Sequence, residues 1–215
     1  DRRTPRRRRP AARHPGAGYV GGPTMVVLAE YCTDHTIIVL DINKEKISQW
    51  NSDKLPIYEP HLLEIVQKTR NKNLFFSSEI SAMLKDADLV FVATNTPTKT
   101  FGEGAGRGAD LQYWEQTARA ILQHCQKPEV IVVEKSTLPV RAAAAMARIL
   151  QSSSSNTKFE VLSNPEFLAE GTAVRDLKNP DRVLIGGRDN ECGKRALSTL
   201  ANLYAHWVPR EKILL

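Results

Sequence analysis

Cysteine is scarce in this chain. Cys32, Cys125 and Cys192 are the three present, and no two stand in a C-x-x-C pair. That excludes a disulfide scaffold and a cysteine-held zinc site, and it fits a reducing compartment such as the cytoplasm. The five histidines show no ligand spacing, so no metal is expected. Long apolar runs are also lacking: none approaches the roughly 18 residues of a membrane span. Hydrophobic residues at 41% and charged residues at 25% exclude a disordered or collagen-like chain. An initiating Met is missing, and the sequence is read as a partial one.

Net charge is absent from most of the chain. Residues 1–14 hold seven of the 30 Lys and Arg but one of the 24 Asp and Glu, which leaves 23 of each sign for the rest. The formal +6 is therefore a property of one arm, DRRTPRRRRPAARH. Basic arms bind nucleic acid, so such a partner is considered for the arm alone and is not expected of the body. The arm lacks the Ser and the amphipathic apolar face of a transit peptide, so targeting is not expected.

Short apolar runs recur: Ile37 to Asp41, Asn73 to Ser77, Asp88 to Ala93, Glu129 to Glu134, Phe159 to Ser163 and Arg182 to Gly187. Most lack alternation, as strands buried on both faces do. Between them lie segments of helical spacing, at Ile47 to Trp50, His61 to Thr69, Leu111 to His124, Arg141 to Leu150 and Glu191 to Tyr204. Strands alternating with helices predict an α/β fold with a Rossmann-like, doubly wound parallel sheet. Three stretches read as loops: Leu55 to Pro60, the glycine-rich Thr94 to Asp110, and the polar linker Gln151 to Thr157.

GAGYVG places Gly16, Gly18 and Gly21 in G-x-G-x-x-G spacing. The first glycine allows the tight turn, the second lets backbone approach a pyrophosphate, and the third lets the helix pack on the sheet. A helical run follows, then a strand ending in Asp41, 20 residues after Gly21. A carboxylate there binds a ribose 2′-hydroxyl and repels a 2′-phosphate, which predicts NAD rather than NADP. A buried strand should precede the loop. The residues there are Pro10, Ala11, Ala12, Arg13, His14 and Pro15. Proline gives no ladder donor and buried charge is costly, so the first strand is expected to be replaced by the Arg-rich arm. Weak NAD binding, well above micromolar, follows from that expectation.

GAGYVGG, LPIYEP, NTPTKT, EKSTLPVR, LSNPEFLAEGTAVRDLKNPDRVLIGG and HWVPREKIL occur in that order from Gly16 to about Leu214. Together they resemble the N-terminal, NAD-binding portion of the UDP-glucose 6-dehydrogenases, within the UDP-glucose/GDP-mannose dehydrogenase family. NPEFLAEG is similar to the nucleotide-sugar 6-dehydrogenases at large, and HWVPREKIL to their animal members. The resemblance implies an NAD-dependent oxidoreductase that oxidises UDP-glucose twice at C6, using two NAD⁺, to UDP-glucuronate, a glycosaminoglycan precursor. It implies residues 1–15 as a disordered basic arm and 16–215 as the NAD-binding domain. The family's central helix and UDP-binding domain are expected to be missing from these 215 residues. The family forms hexamers built from dimers, an assembly not expected of this fragment.

By the same resemblance, Gly16, Ala17, Gly18, Tyr19, Val20, Gly21 and Asp41 would bind NAD, with Lys46 near the adenosine end. Thr94, Asn95, Thr96, Pro97 and Thr98, with Ser136, Thr137 and Leu138, would line the nicotinamide side. Thr137 would also position a water, and Glu166 would be the acid/base carboxylate. Phe167, Leu168 and Ala169 would contact substrate, and Glu170 would contact substrate and NAD. Glu166 follows the strand Phe159 to Asn164, at the strand end where open α/β sheets place ligands. Plainer readings stay open: a first-turn helix carboxylate for Glu166, surface charge for Glu170, and solvated charge for Lys135 and Arg141, which belong to a conformational switch in the family. Tyr58 and Glu59 are read as parts of a packed, Pro-bounded turn.

The family's nucleophile is a Cys in a GFGGSCF-type motif, and no such motif occurs here. The chain alone is therefore expected to be inactive. Two alternatives remain: a non-catalytic NAD-binding or subunit-interaction protein derived from the family, and a nucleic-acid binder acting through the arm.

Overall fold

A computed structural model describes residues 10–93, 112–136, 142–152 and 156–215. The elements run β1 (Ala11–Pro15), α1 (Gly21–Tyr31), β2 (Thr36–Leu40), α2 (Lys44–Trp50), α3 (Leu62–Thr69), β3 (Leu74–Ser77), α4 (Ile80–Leu84) and β4 (Leu89–Val92). They continue with α5 (Gln112–His124), β5 (Glu129–Glu134), α6 (Ala142–Gln151), β6 (Lys158–Ser163), α7 (Ala173–Lys178), β7 (Val183–Leu184), α8 (Glu191–Tyr204), a short 3₁₀ turn (Arg210–Lys212) and β8 (Ile213–Leu214).

Six strands form one parallel sheet in the order β3-β2-β1-β4-β5-β6, the doubly wound arrangement expected. Apolar side chains of α1, α3, α7 and α8 cover one face, around Met25, Val27, Leu62 and Leu200. Those of α4, α5 and α6 cover the other, around Trp114, Ile121 and Met146. Covering both faces explains the unalternating strands.

One expectation is overturned. Residues 11–15 are not a replacement for the first strand; they are that strand, buried throughout and central in the sheet. It pairs with β2 from Ala11↔Thr36 to Pro15↔Leu40, and with β4 through Ala12↔Leu89 and Arg13↔Val90. Each objecting residue is accommodated. Gly16 N donates to Leu40 O at 2.7 Å, so even-numbered amides face β2 and odd-numbered ones face β4. The donor that Pro15 lacks therefore falls beyond the paired β1–β4 register, which ends at Arg13↔Val90. Arg13 is buried, but its guanidinium donates to three carbonyls, Met83 O at 2.8 Å, Ala12 O at 3.2 Å and Thr36 O at 3.3 Å. His14 escapes charge altogether, since burial, and then the charge of Lys135, pull its pKa down to about 4. With the strand in place, the weak NAD binding inferred from its loss has no structural basis.

A second difference lies at Arg182 to Gly187. Val183 and Leu184 form β7, which leaves the main sheet and pairs in parallel with β8. The loop Thr94 to Asp110 and residues 153–155 of the polar linker lie outside the described residues, as do residues 1–9.

Candidate active site at the carboxyl edge of the sheet

The strand order reverses between β1 and β4, and the chain leaves every strand of the main sheet on one edge there. The glycine loop follows β1. Gly16 takes φ +110°, a conformation few side chains tolerate. At Gly21 a Cβ would lie 2.2 Å from Gly16 O and 2.3 Å from His14 Cε1, so the helix start meets the loop backbone directly. At Gly18 a Cβ would meet nothing within 4 Å. The first turn of α1 has no side-chain cap and no acidic residue. An open approach at Gly18 beside an uncapped, uncharged helix start fits a dinucleotide pyrophosphate.

Asp41, just after β2, holds this loop. Its Oδ2 accepts from Ala17 N at 3.0 Å and pairs with Lys46 Nζ at 3.1 Å, and its Oδ1 accepts from Asn43 N at 2.9 Å. Lys46 thus stands beside Asp41 on the first turn of α2. Beneath the loop, the buried Trp50 donates from Nε1 to Ala17 O at 3.0 Å and stacks on Phe76. Val20 is the N-cap of α1 and accepts from Thr24 N at 3.2 Å.

The loop after β6 comes to the same edge. Asn164 to Ala169 is irregular, so Glu166 is not a first-turn helix carboxylate; its Oε2 accepts from Leu168 N at 2.9 Å. Phe167 is 62% exposed, with Arg182 over its ring. Ala169 and Glu170 are exposed, and Leu168 is half-buried. Lys135 follows β5 and is only 3% exposed. Burial pulls its pKa down to about 8, against the opposing charge of Glu166. Its Nζ donates to Asn164 Oδ1 at 3.3 Å, and the buried Tyr204 hydroxyl donates to the same oxygen at 2.6 Å. A cavity of about 570 Å³ opens among Lys135, Glu166, Phe167, Arg182 and Tyr204.

Ser136 is brought to this edge by its neighbour. Its amide donates to Glu134 Oε1 at 2.8 Å, while Trp114 Nε1 donates to Glu134 Oε2 at 2.6 Å. Burial raises the Glu134 pKa, and these bonds oppose that rise. Thr94, Asn95, Thr96, Pro97, Thr98, Thr137, Leu138 and Arg141 lie outside the described residues.

The structure also brings in residues that sequence reasoning passed over. Glu134 and Asn164 lie inside the motifs EKSTLPVR and LSNPEFLAEG but were given no role, and Tyr204, at the end of α8, lies in no motif; for the first two the signal available was a polar group at a strand end. Glu59 was read as part of a packed turn. It is 3% exposed, and it joins the glycine loop to the loop after β6, whereas its neighbour Tyr58 is 85% exposed. Among the described residues no three His, Cys, Asp or Glu side chains gather as a metal site, and no helix is long and apolar enough to cross a membrane.

Fold and loop define a dinucleotide-binding dehydrogenase domain of the doubly wound class. Residues 15–208 match the NAD binding domain of the UDP-glucose/GDP-mannose dehydrogenase family, and the chain belongs to that family. It is 58% identical over 200 residues to the UDP-glucose 6-dehydrogenase of Bos taurus, covering 93% of this chain and 40% of the relative. It is 56% identical over 199 residues to UDP-glucose 6-dehydrogenase 1 of Arabidopsis thaliana, covering 93% and 41%. Plant and animal relatives match over nearly the same length at similar identity. A UDP-glucose dehydrogenase structure from Pyrobaculum islandicum superposes with a TM-score of 0.81 at 30% identity, covering 98% of this chain and 47% of that one. A ternary complex of GDP-mannose dehydrogenase from Pseudomonas aeruginosa gives a TM-score of 0.78 at 29% identity, covering 94% and 45%. The chain thus spans about two fifths of the length of the curated relatives it matches.

Proposed function

We propose that this chain is the cofactor-binding part of an NAD-dependent dehydrogenase that oxidises the C6 hydroxyl of UDP-glucose to the carboxylate of UDP-glucuronate. One observation carries the reading. The Tyr19 hydroxyl of the glycine loop lies 3.3 Å from Ala169 O and 3.0 Å from Gly171 N, so the cofactor loop and the Glu166-bearing loop adjoin. NAD⁺, when bound, supplies a hydride acceptor. This chain's residues bind and orient it: Gly18 and the α1 start at the pyrophosphate, Asp41 at the ribose, and Lys46 beside it. Ser136 to Leu138 and Thr94 to Thr98 take the nicotinamide side. Glu166 holds or moves a proton near C6, Thr137 orients water, and Phe167 to Glu170 contact the sugar nucleotide.

A second reading, a non-catalytic NAD-binding or subunit-interaction protein, draws on the cysteines. Burial raises the Cys32 and Cys125 pKa values to about 12, so both stay thiols, and Cys192 is exposed on α8. We propose that the 215-residue polypeptide binds NAD⁺ but does not complete the oxidation by itself. Hexamer formation and a cytoplasmic setting belong to the reading of the longer protein. The test is titration of the chain with NAD⁺ and NADP⁺, followed by tryptophan fluorescence, with a parallel assay for UDP-glucuronate. NAD⁺ binding with much weaker NADP⁺ binding supports the assignment of Asp41. Equal affinities would count against it, and product formed by this chain alone would overturn the proposed incompleteness.

A further inference from the structure

Glu59 is the one carboxylate in the described residues that touches both the glycine loop and the substrate-side loop. It sits at the end of the LPIYEP turn, just before α3. Its Oε1 accepts from the Tyr19 hydroxyl and, at 2.7 Å, from Gly171 N. Its Oε2 accepts from Ala173 N at 3.0 Å. Gly171 N also points at the Tyr19 hydroxyl, 3.0 Å away. Ala173 opens α7, whose cap residue Thr172 makes no side-chain capping bond, so Glu59 supplies an acceptor that the helix does not provide for itself.

The bonds tie together three segments far apart in sequence. Glu59 lies 40 residues from Tyr19 and 112 from Gly171. Gly171 has φ +83°, so its amide is aimed by a backbone turn that few other residues adopt. A buried carboxylate with every contact a hydrogen-bond donor is stable only while those donors stay in place. Fixing Tyr19 therefore fixes the amides at 171 and 173, and the converse holds by linkage.

We infer that Glu59 is a positioning residue that couples the dinucleotide loop to the loop carrying Glu166 and Glu170, so that cofactor occupancy orders residues 169–173. The inference rests on the cofactor reading above. Ordering Tyr19 by bound NAD⁺ raises the free energy needed to open the Glu59 cluster. The substrate-side loop is then in place after the cofactor binds.

Hydrogen exchange of the 215-residue chain, with and without NAD⁺, tests this. In the parent chain NAD⁺ should slow exchange at Gly171 and Ala173 by about fivefold or more. In Glu59→Gln, which keeps the shape but loses one acceptor, that slowing should vanish while NAD⁺ still changes the tryptophan fluorescence. Tyr19→Phe leaves Glu59 bonded to Gly171 and Ala173 and should also abolish the slowing, which keeps the test valid should Glu59→Gln unfold. Slowing that persists in Tyr19→Phe, or in a folded Glu59→Gln, overturns the coupling, even if either variant melts at a lower temperature. NAD⁺ binding to the parent chain without slowed exchange at 171 and 173 overturns the coupling alone. Failure of the parent chain to bind NAD⁺ by fluorescence or calorimetry overturns the cofactor reading and the coupling with it.

Discussion

The imidazole of His14 lies against Gly21, so close that a Cβ on Gly21 would stand 2.3 Å from His14 Cε1. The His14 ring fills the contact between the central strand and the helix start, where Gly21 brings no side chain of its own. Among the described residues neither ring nitrogen of His14 has a hydrogen-bond partner. The residue thus fills space at the heart of the fold without using its polar atoms.

Replacing it should stabilise the protein, most of all in mild acid. The folded pKa near 4 lies below the ordinary 6.5, so between these values the unfolded chain binds a proton that the folded chain refuses. Stability therefore falls as pH drops from about 6.5 to about 4, by roughly 3 kcal/mol in all. His14→Val should remove that loss. Denaturant melts at pH 7 and pH 5 should show a parent chain weakened by about 2 kcal/mol at the lower pH, beyond any change in the variant.

Two glycines in one loop should respond differently to alanine. Gly21→Ala drives a methyl into backbone and should cost about 3 kcal/mol of stability. Gly18→Ala enters open space and should leave stability within about 0.5 kcal/mol. It should still weaken NAD⁺ binding by about tenfold, or about 1.4 kcal/mol, by standing where the pyrophosphate approaches. Thermal melts and calorimetric titration of the pair check both outcomes.

Lys135 should be a stability cost tolerated for its place beside Glu166. Its folded pKa of about 8 is below the ordinary 10.5, so the penalty on its charge is complete at neutral pH and is relieved as pH rises from about 8 to 10.5. Lys135→Met should be more stable than the parent by about 2 kcal/mol at pH 7, with the gap closing towards pH 10.5. Equal stability across that range would show that the buried ammonium carries no such penalty.

Thiol chemistry offers a check on packing. Cys32 and Cys125 are buried with pKa values near 12, and Cys192 is exposed. A disulfide reagent at pH 8 should label Cys192 promptly in the native chain and the other two only after denaturation. Prompt labelling of Cys125 would contradict the packing of α5 against the sheet.

Much of the framework was legible from residue patterns. Runs such as Asp88 to Ala93 and Glu129 to Glu134 mark strands buried on two faces, and glycine spacing with Asp41 marks the cofactor loop. β1 was misjudged because Pro, Arg and His were weighed one at a time. The decisive quantity is the pair of open backbone ladders that β2 and β4 present, which any backbone with Pro at its far end can fill. Arg182 to Gly187 misled in the opposite direction, since an apolar run does not reveal which sheet it joins. Glu59 was undervalued because its partners are backbone amides at 171 and 173, which carry no side-chain signature.

The placing of β1 also sets an order of events in folding. Its first residue reaches for Asp88, 77 residues on, through Ala11 N to Asp88 Oδ2 at 2.8 Å. Pairing with β2 needs only the crossover through α1, residues 16–35, to close, whereas the second side must wait for β4. Until residue 92 has been synthesised, Arg13 and His14 can remain in water, and their burial becomes compulsory only when the sheet closes over them. Slow closure at that seam should therefore govern how fast the domain matures, and acid, by charging His14 beforehand, should delay it.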